Sequence, residues 1–307
     1  MYSNADGLVS KLCELRGLIT KEKPEIVCLT ETKLNATISN ATLNFDGYEV
    51  WRKDRESKPG GGVMILTKKD LKVKAANYVE VPNKVELVAV DVMSEEGDLT
   101  VATLYMPPKT RAWETEEYTE LEDLTIKSLN AMLQNMEENC KRIVLTGDFN
   151  SNIDWKNLEE KSMENSWNHK ILEIMYDFVL TQHIEQYTRV RGTDNPSLLD
   201  LLFTRNENEV ENIEYNSPLG KSDHVVLKWN YIVAYDILEY EERHDKQYNF
   251  KRGSYYKGLK EHFKGINWEE ELNLANLNDQ YKKICDIYSI GVNKFMPHKS
   301  PEVWRKQ

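Results

Sequence analysis

Acidic, amide and imidazole side chains recur along this 307-residue chain at the C-terminal ends of apolar runs, or just before one. Glu31 follows Ile26-Val27-Cys28-Leu29-Thr30, and Tyr105 ends the run that starts at Leu99. Asp148 and Asn150 close Ile143-Val144-Leu145-Thr146-Gly147, Asp200 lies inside Leu198–Phe203, and Asp223-His224 precede Val225-Val226-Leu227. Asn4 has a similar setting near the start. Hard oxygen donors of this kind suit Mg²⁺ or Mn²⁺, and phosphate, rather than zinc. Asp148 and Asn150 are two apart, so strand alternation alone puts them on one face. An Asx turn closing a strand would use the same residues, and a single carboxylate in a strand is more often structural than catalytic. The repetition is what points to a site.

The elements that must position these residues are legible as periodicities. Glu25–Thr32, Tyr48–Trp51, Val63–Leu66, Val85–Val92, Leu99–Tyr105, Ile143–Thr146, Leu198–Phe203 and the run opened by Ser222 are apolar or alternating stretches of strand length. Helical spacing of apolar residues covers Asp6–Thr20, Glu114–Cys140, Ile171–Ile184 and Asn278–Met296. Between the second and third strands, Arg52, Lys53, Asp54 and Arg55 precede Gly60-Gly61-Gly62. These glycines lack P-loop spacing and predict a bulge or hairpin, while the arginines are of a type that contacts phosphate. Tyr2-Ser3-Asn4 reads as the end of a strand whose body is missing. The chain changes character near Tyr235: 234–307 is more polar and ends in a basic, proline-containing stub, Pro297–Gln307.

Composition sets limits. Hydrophobic residues at 40% and charged residues at 30% describe a soluble globular protein. No apolar run is long enough for a membrane helix, and no secretory signal opens the chain. Cys13, Cys28, Cys140 and Cys285 are far apart, which predicts reduced thiols in an intracellular compartment rather than a disulfide framework. The formal net charge of −11, much of it between Glu114 and Glu138, argues against nucleic-acid binding by bulk charge. A local site could still hold a polyanion.

Taken together and in order, Tyr2-Ser3-Asn4-Ala5, Leu29-Thr30-Glu31-Thr32-Lys33, Gly60-Gly61-Gly62-Val63, Leu104-Tyr105-Met106-Pro107-Pro108, Gly147-Asp148-Phe149-Asn150, Ser197-Leu198-Leu199-Asp200 and Ser222-Asp223-His224 make the chain resemble the metal-dependent endonuclease/exonuclease/phosphatase superfamily. Within it, residues 1–233 look like the endonuclease domain of non-LTR (LINE-type) retrotransposon polyproteins. Residues 234–307 are similar to the linker that precedes the reverse transcriptase there. The resemblance implies a four-layer α/β sandwich, two packed mixed β-sheets flanked by helices, with a helical C-terminal linker. It implies Mg²⁺ or Mn²⁺ ligated by Glu31, with Asn4, Asp148, Asn150 and Asp223 in or near the shell. Asp148 would orient or deprotonate the attacking water. His224 would contact the scissile phosphate with Asp200 holding its ring. Tyr105 and Asn150 would donate to developing charge, and Arg55, Thr188, Ser197 and Ser222 would touch substrate. The implied activity nicks DNA in the nucleus and leaves a 3′-hydroxyl for a reverse transcriptase domain of the same polyprotein. Two other readings stay open: a phosphodiesterase or phosphatase of the same fold acting on abasic DNA, lipid or inositol phosphates, and a decayed, inactive retroelement fragment. The resemblance also places a strand before Tyr2, so its absence is expected to expose a sheet edge and lower stability.

Overall fold

The computed structural model describes residues 1–232 except 57, 78–83, 95–96, 111–112, 140, 156–158 and 161–165, together with 259, 261–273 and 277–295. Residues 233–258 and the stub Pro297–Gln307 lie outside the described residues, as does Cys140; Cys13, Cys28 and Cys285 are free thiols. No helix among the described residues is long and apolar enough to cross a membrane.

Twelve of the strands build two sheets. The first holds β1 (Tyr2–Asn4), β2 (Ile26–Thr30), β3 (Tyr48–Lys53), β4 (Val63–Lys68), β13 (Val210–Asn216) and β14 (Val226–Tyr231), in the order β13-β14-β1-β2-β4-β3. The second holds β5 (Val73–Ala75), β6 (Glu86–Val92), β7 (Leu99–Tyr105), β8 (Arg142–Asp148), β11 (Thr181–Gln182) and β12 (Asp200–Thr204), in the order β11-β12-β8-β7-β6-β5. A small ribbon pairs β9 (Ile153–Asp154) with β10 (Glu159–Glu160). Each sheet has one parallel pair at its centre, β1 with β2 and β7 with β8. A parallel pair needs a crossover, and here each crossover is a helix: α1 (Leu12–Glu22) in the first sheet and α3 (Thr115–Glu138) in the second. The short α2 (Asn40–Leu43) follows β2, and α4 (Trp167–Asp177) packs beside α3.

Strand alternation then sorts the side chains into three apolar clusters. Met64, Val27 and Leu29 face Leu15 and Ile19 of α1, while Leu145, Ile143 and Leu201 face α3 and α4. The alternate residues Tyr2, Cys28, Ile65, Val101, Val144 and Leu202 meet in the seam between the sheets. Helix, sheet, sheet and helix form four layers, the α/β sandwich that the sequence resemblance implied.

One sequence expectation, for a helix, is corrected, and two strands were not expected. At the N-terminus, Tyr2–Asn4 forms a short strand, parallel to Cys28–Thr30 and with Tyr2 opposite Leu227 on its other side. The helix expected over Ile171–Ile184 instead starts at Trp167, where the Ser166 hydroxyl caps it by accepting from the His169 N–H. It ends at Asp177, beyond which Val179 has φ +50° and Thr181–Gln182 pairs with β12. Phe178, Leu180 and Ile184 are buried, so their spacing continues the helical pattern although the chain has turned into a strand. The strands β5 and β13, partly solvated, gave no clear alternation.

Residues Met1–Tyr235 form one compact unit and Asp236–Gln307 another. In the second, the helices Trp268–Glu271 and Leu277–Phe295 are described, with Leu259, Val292, Phe263 and Phe295 packed together.

Gly147 is required by this packing. It lies opposite Leu104 in the parallel β7–β8 pair, and a Cβ there would overlap the Leu104 backbone carbonyl. Backbone cannot swing aside as a side chain can, so Gly147→Ala should cost at least ~1–3 kcal/mol, the usual range for overpacking. Thermal unfolding checks this; a melting temperature equal to wild type would show that β7 and β8 can part at no cost.

Candidate active site

The seam is apolar along the strands and polar at their ends. Asp148 continues the alternation of Val144 and Thr146, and Asp200 that of Leu202, so both carboxylates point between the sheets. They are also direct cross-strand partners, and they are 1% and 0% exposed. Two like charges buried side by side are costly unless each finds donors. The donors come from the facing sheet. Asn4 Nδ2 donates to Asp148 Oδ2 at 2.9 Å and to Glu31 Oε1 at 3.1 Å. The Tyr2 hydroxyl donates to Asp200 Oδ1 at 2.6 Å, and His224 Nδ1 lies 2.7 Å from Asp200 Oδ2. His224 Nε2 is 3.9 Å from both Asp148 Oδ2 and Asp223 Oδ1, so the ring bridges the buried pair and the surface.

Local backbone holds these groups in place. The turn after β8 is pinned by the Phe149 N–H to Leu199 O and by the Trp167 indole N–H to Phe149 O. Asn150, at φ +44°, donates its backbone N–H to Asp148 Oδ1 and its side-chain N–H to Met106 O. Glu31 and Lys33 have φ of +47° and +52°, and this strained segment is braced on both sides. Gly7 and Leu8 donate to Glu31 and Thr32, and Thr32 and Lys33 donate to Gly62 and Gly61. Gly61 and Gly62 thus serve as a backbone brace that approaches too closely for side chains. Tyr105 completes the group by donating its hydroxyl to Glu31 Oε1 at 3.0 Å.

The electrostatics follow from this crowding. Burial first, then Asp200 and Glu31, raise the Asp148 carboxyl well above its usual range, against His224 and Asn4, which lower it. Burial alone would depress the His224 imidazole, but Asp200, then Asp148 and Asp223, outweigh it and raise it to about 9. An unperturbed histidine would titrate near ~6.5; this one is cationic at neutral pH. Burial, followed by Glu31 and Asp148, keeps the Tyr105 phenol protonated.

Above these groups opens a cleft of about 610 Å³, with Glu31, Asp148, Asn150, Asp223 and His224 on its wall. Lys33, Arg189, Arg191 and Lys221 also line it. The sequence reading missed these four cations. Their signal was proximity: Lys33 is two residues after Glu31, and Lys221 two before Asp223. Arg189 and Arg191 flank Val190, whose N–H donates to Asp223 O, and Arg189 Nε donates to Asp223 Oδ2 at 2.9 Å.

Several residues expected to touch substrate make contacts within the fold. The Arg55 side chain is 9% exposed, and its guanidinium is ion-paired with Glu86 and set over the Tyr105 and Trp113 rings. Thr188 is fully buried, and its hydroxyl accepts from the Leu199 and Asp200 N–H groups that open β12. The Ser222 hydroxyl donates to Asn4 O at 2.8 Å, tying the His224 segment to β1. Ser197 pairs with Arg189 through backbone, closing the hairpin that carries the arginines. Asn4, expected near a metal, accepts the Asp6 N–H on its side-chain oxygen and turns N–H toward the carboxylates, so it orients them rather than offering an oxygen ligand.

Comparison with known proteins agrees with the fold. A family described as endonuclease-reverse transcriptase matches residues 99–228. No curated protein matches the chain. Among solved structures, the endonuclease domain of TRAS1, a telomere-specific non-LTR retrotransposon, is similar with a TM-score of 0.53 and 18% identity over 76% of this chain and 96% of that one. The AP endonuclease LMAP from Leishmania major gives 0.59 and 16% over 75% and 86%. The 3′-5′ exonuclease NExo from Neisseria meningitidis gives 0.57 and 17% over 75% and 98%. The resemblance to the endonuclease/exonuclease/phosphatase superfamily read from the sequence therefore holds.

The donor set fits a hard divalent cation. Asp148, Asp200 and His224 place ligand atoms within 4.8 Å of one another, but both Asp200 oxygens are already taken, by Tyr2 and His224. Glu31 and Asp148, joined through Asn4, are the better pair. The Lys33 ammonium 3.4 Å from Glu31 Oε2 shows that a positive charge is welcome there. Mn²⁺ binding followed by calorimetry or electron paramagnetic resonance should weaken at least ~10-fold in Glu31→Ala, and ~10–100-fold in Asn4→Ala through loss of ligand orientation. Unchanged affinity in both variants would move the cation elsewhere.

Proposed function

We propose that this chain, with the fold of the endonuclease/exonuclease/phosphatase superfamily, is a Mg²⁺- or Mn²⁺-dependent endonuclease that hydrolyses phosphodiester bonds in DNA. It nicks one strand and leaves a 3′-hydroxyl that a reverse transcriptase domain of the same polyprotein extends. The observation that carries this reading is an acid–imidazole wall facing a cleft lined by Lys33, Arg189, Arg191 and Lys221. That combination suits a phosphate whose neighbours along a strand are phosphates too.

The residues divide the work. Asp148, on the cleft wall with Asn4 and Asn150 fixing its two oxygens, accepts the proton of the attacking water. His224, cationic and fixed by Asp200, presents Nε2–H to a non-bridging phosphate oxygen and stabilises the charge that develops there. Tyr105 and Asn4 hold Glu31 in place. The metal, held by Glu31 with Asp148, Asn150 and Asp223 nearby, would supply Lewis-acid stabilisation. The Met1–Tyr235 unit contains every one of these groups, which supports the reading of 1–233 as the catalytic domain; on the same reading 234–307 is the linker toward the polymerase. Work on chromosomal DNA places the protein in the nucleus.

Supercoiled plasmid should be nicked with Mg²⁺ or Mn²⁺ and not in EDTA, and a polymerase should extend the nick without end repair. Asp148→Asn and His224→Ala should each lower kcat by ~10²–10⁴, the usual worth of a positioned acid or base. An abasic duplex run in parallel decides the substrate: cleavage of that duplex with intact plasmid would favour an abasic-site enzyme. Arg191→Ala and Lys221→Ala should act chiefly on KM and flatten the log KM against log salt slope by about 0.9 for each duplex phosphate left without its cation. A kcat loss with an unchanged salt slope would remove these cations from the DNA path.

A further inference from the structure

Tyr2 belongs to no part of the reaction just described, yet it touches its centre. The seam around it is filled by Cys28, Ile65, Val144, Leu202 and Leu227, and an aliphatic side chain at position 2 would pack among them without a polar atom to satisfy. Tyr2 is instead 0% exposed with its hydroxyl deep in the seam, 2.6 Å from Asp200 Oδ1 and 2.9 Å from Thr30 Oγ1. A phenol has one proton. Burial, then the Asp200 and Asp148 charges, keep that proton on Tyr2, so the hydroxyl donates to Asp200 and accepts from Thr30.

We propose that Tyr2 is a positioning residue for the Asp200–His224 pair, its hydroxyl locking the Asp200 carboxylate in the plane from which Oδ2 meets His224 Nδ1. The inference rests on the nuclease reading above. Asp200 is held at three points: its N–H by Thr188 Oγ1, Oδ1 by Tyr2, and Oδ2 against the imidazole. Without the Tyr2 bond the carboxyl group loses one of its two side-chain anchors and can turn about its last torsion, which loosens the aim of the ring's Nε2 between Asp148 and Asp223. The strand that carries Tyr2 makes the role specific. Tyr2 and Asn4 share one face of β1, and each donates to a different member of the buried carboxylate pair. Thr30 → Tyr2 → Asp200 forms a hydrogen-bond chain in which each link strengthens the next.

Tyr2→Phe removes one oxygen and keeps the ring. In the full-length protein with Mg²⁺, kcat for nicking should fall at least ~10-fold, as for loss of a bond to a charged group, with KM within twofold. In an Asp200→Asn background the same change should cost nothing further, since the bond it removes no longer serves the pair. The hydrogen-bonded His224 Nδ1–H proton, assigned in NMR spectra by its absence in His224→Gln, should shift or broaden in Tyr2→Phe while Mn²⁺ affinity stays unchanged. Thr30→Val, one link further away, should show the same effects in smaller measure, and stands in if Tyr2→Phe does not fold. Wild-type kcat with an unmoved Nδ1–H resonance overturns the proposal, as does an equal kcat loss in both backgrounds, which marks Tyr2 as mere packing. If no protein nicks DNA, the nuclease reading fails, and the resonance alone still decides what Tyr2 does.

Discussion

The constraint on which the molecule depends is the burial of Asp148 and Asp200 opposite each other on neighbouring strands. Water cannot neutralise that pair, so the protein must, and strands of the same sheet are too occupied with their own ladder to do it. The answer is to face the second sheet with the first. β1 brings Tyr2 and Asn4 across the seam, β2 ends in Glu31, and the approach to β14 adds His224 between the carboxylates. Sheet-on-sheet packing is therefore part of the chemistry. A shift of one residue in β1 would turn both donors away from the seam, because alternation would send them to the other face.

The sequence exposed this arrangement unevenly. Asp148, Asp200, Glu31 and His224 stood out because polar residues at the ends of apolar strands break the pattern that the core demands, and the structure collects them on or beside one cleft. The strands β2, β7 and β8 and the long helix α3 were legible for the same reason, a strong period tied to burial. What period could not show is where a polar side chain spends its hydrogen bonds. Arg55, Thr188 and Ser222 have the types that contact phosphate, but Glu86, the start of β12 and the end of β1 claim them first. Tyr2 hid for the opposite reason: an aromatic residue in a short strand reads as core, and its hydroxyl matters only once Asp200 is known to lie across the seam. The cleft cations were hidden by loop geometry, since Arg189 and Arg191 reach the cleft through a hairpin closed by bridges to Ser197 and His224.

The chain's charge looks different from inside the cleft. A net −11 describes the whole surface, with α3 opening on Glu116 and Glu117 and carrying further acids along its length. The cleft gathers four cations, Lys33, Arg189, Arg191 and Lys221, beside its acids. Approach of a polyanion is thus favoured only over a few ångströms, within the reach of a screened charge at physiological salt.

The short strand β1 also sets how the molecule comes to be assembled. Its bonds to Asp148 and Asp200 join residues 144 and 198 positions apart, and the Ser222 bond to Asn4 spans 218. Closing loops of that size costs more chain entropy than any hairpin in the fold, and contacts of such long range slow folding. Neither sheet can finish the centre alone, whatever its own ladder has achieved. A population with both sheets formed but the seam still open would hold most of its secondary structure and no active centre at all, which makes this site a reporter of the last event in folding.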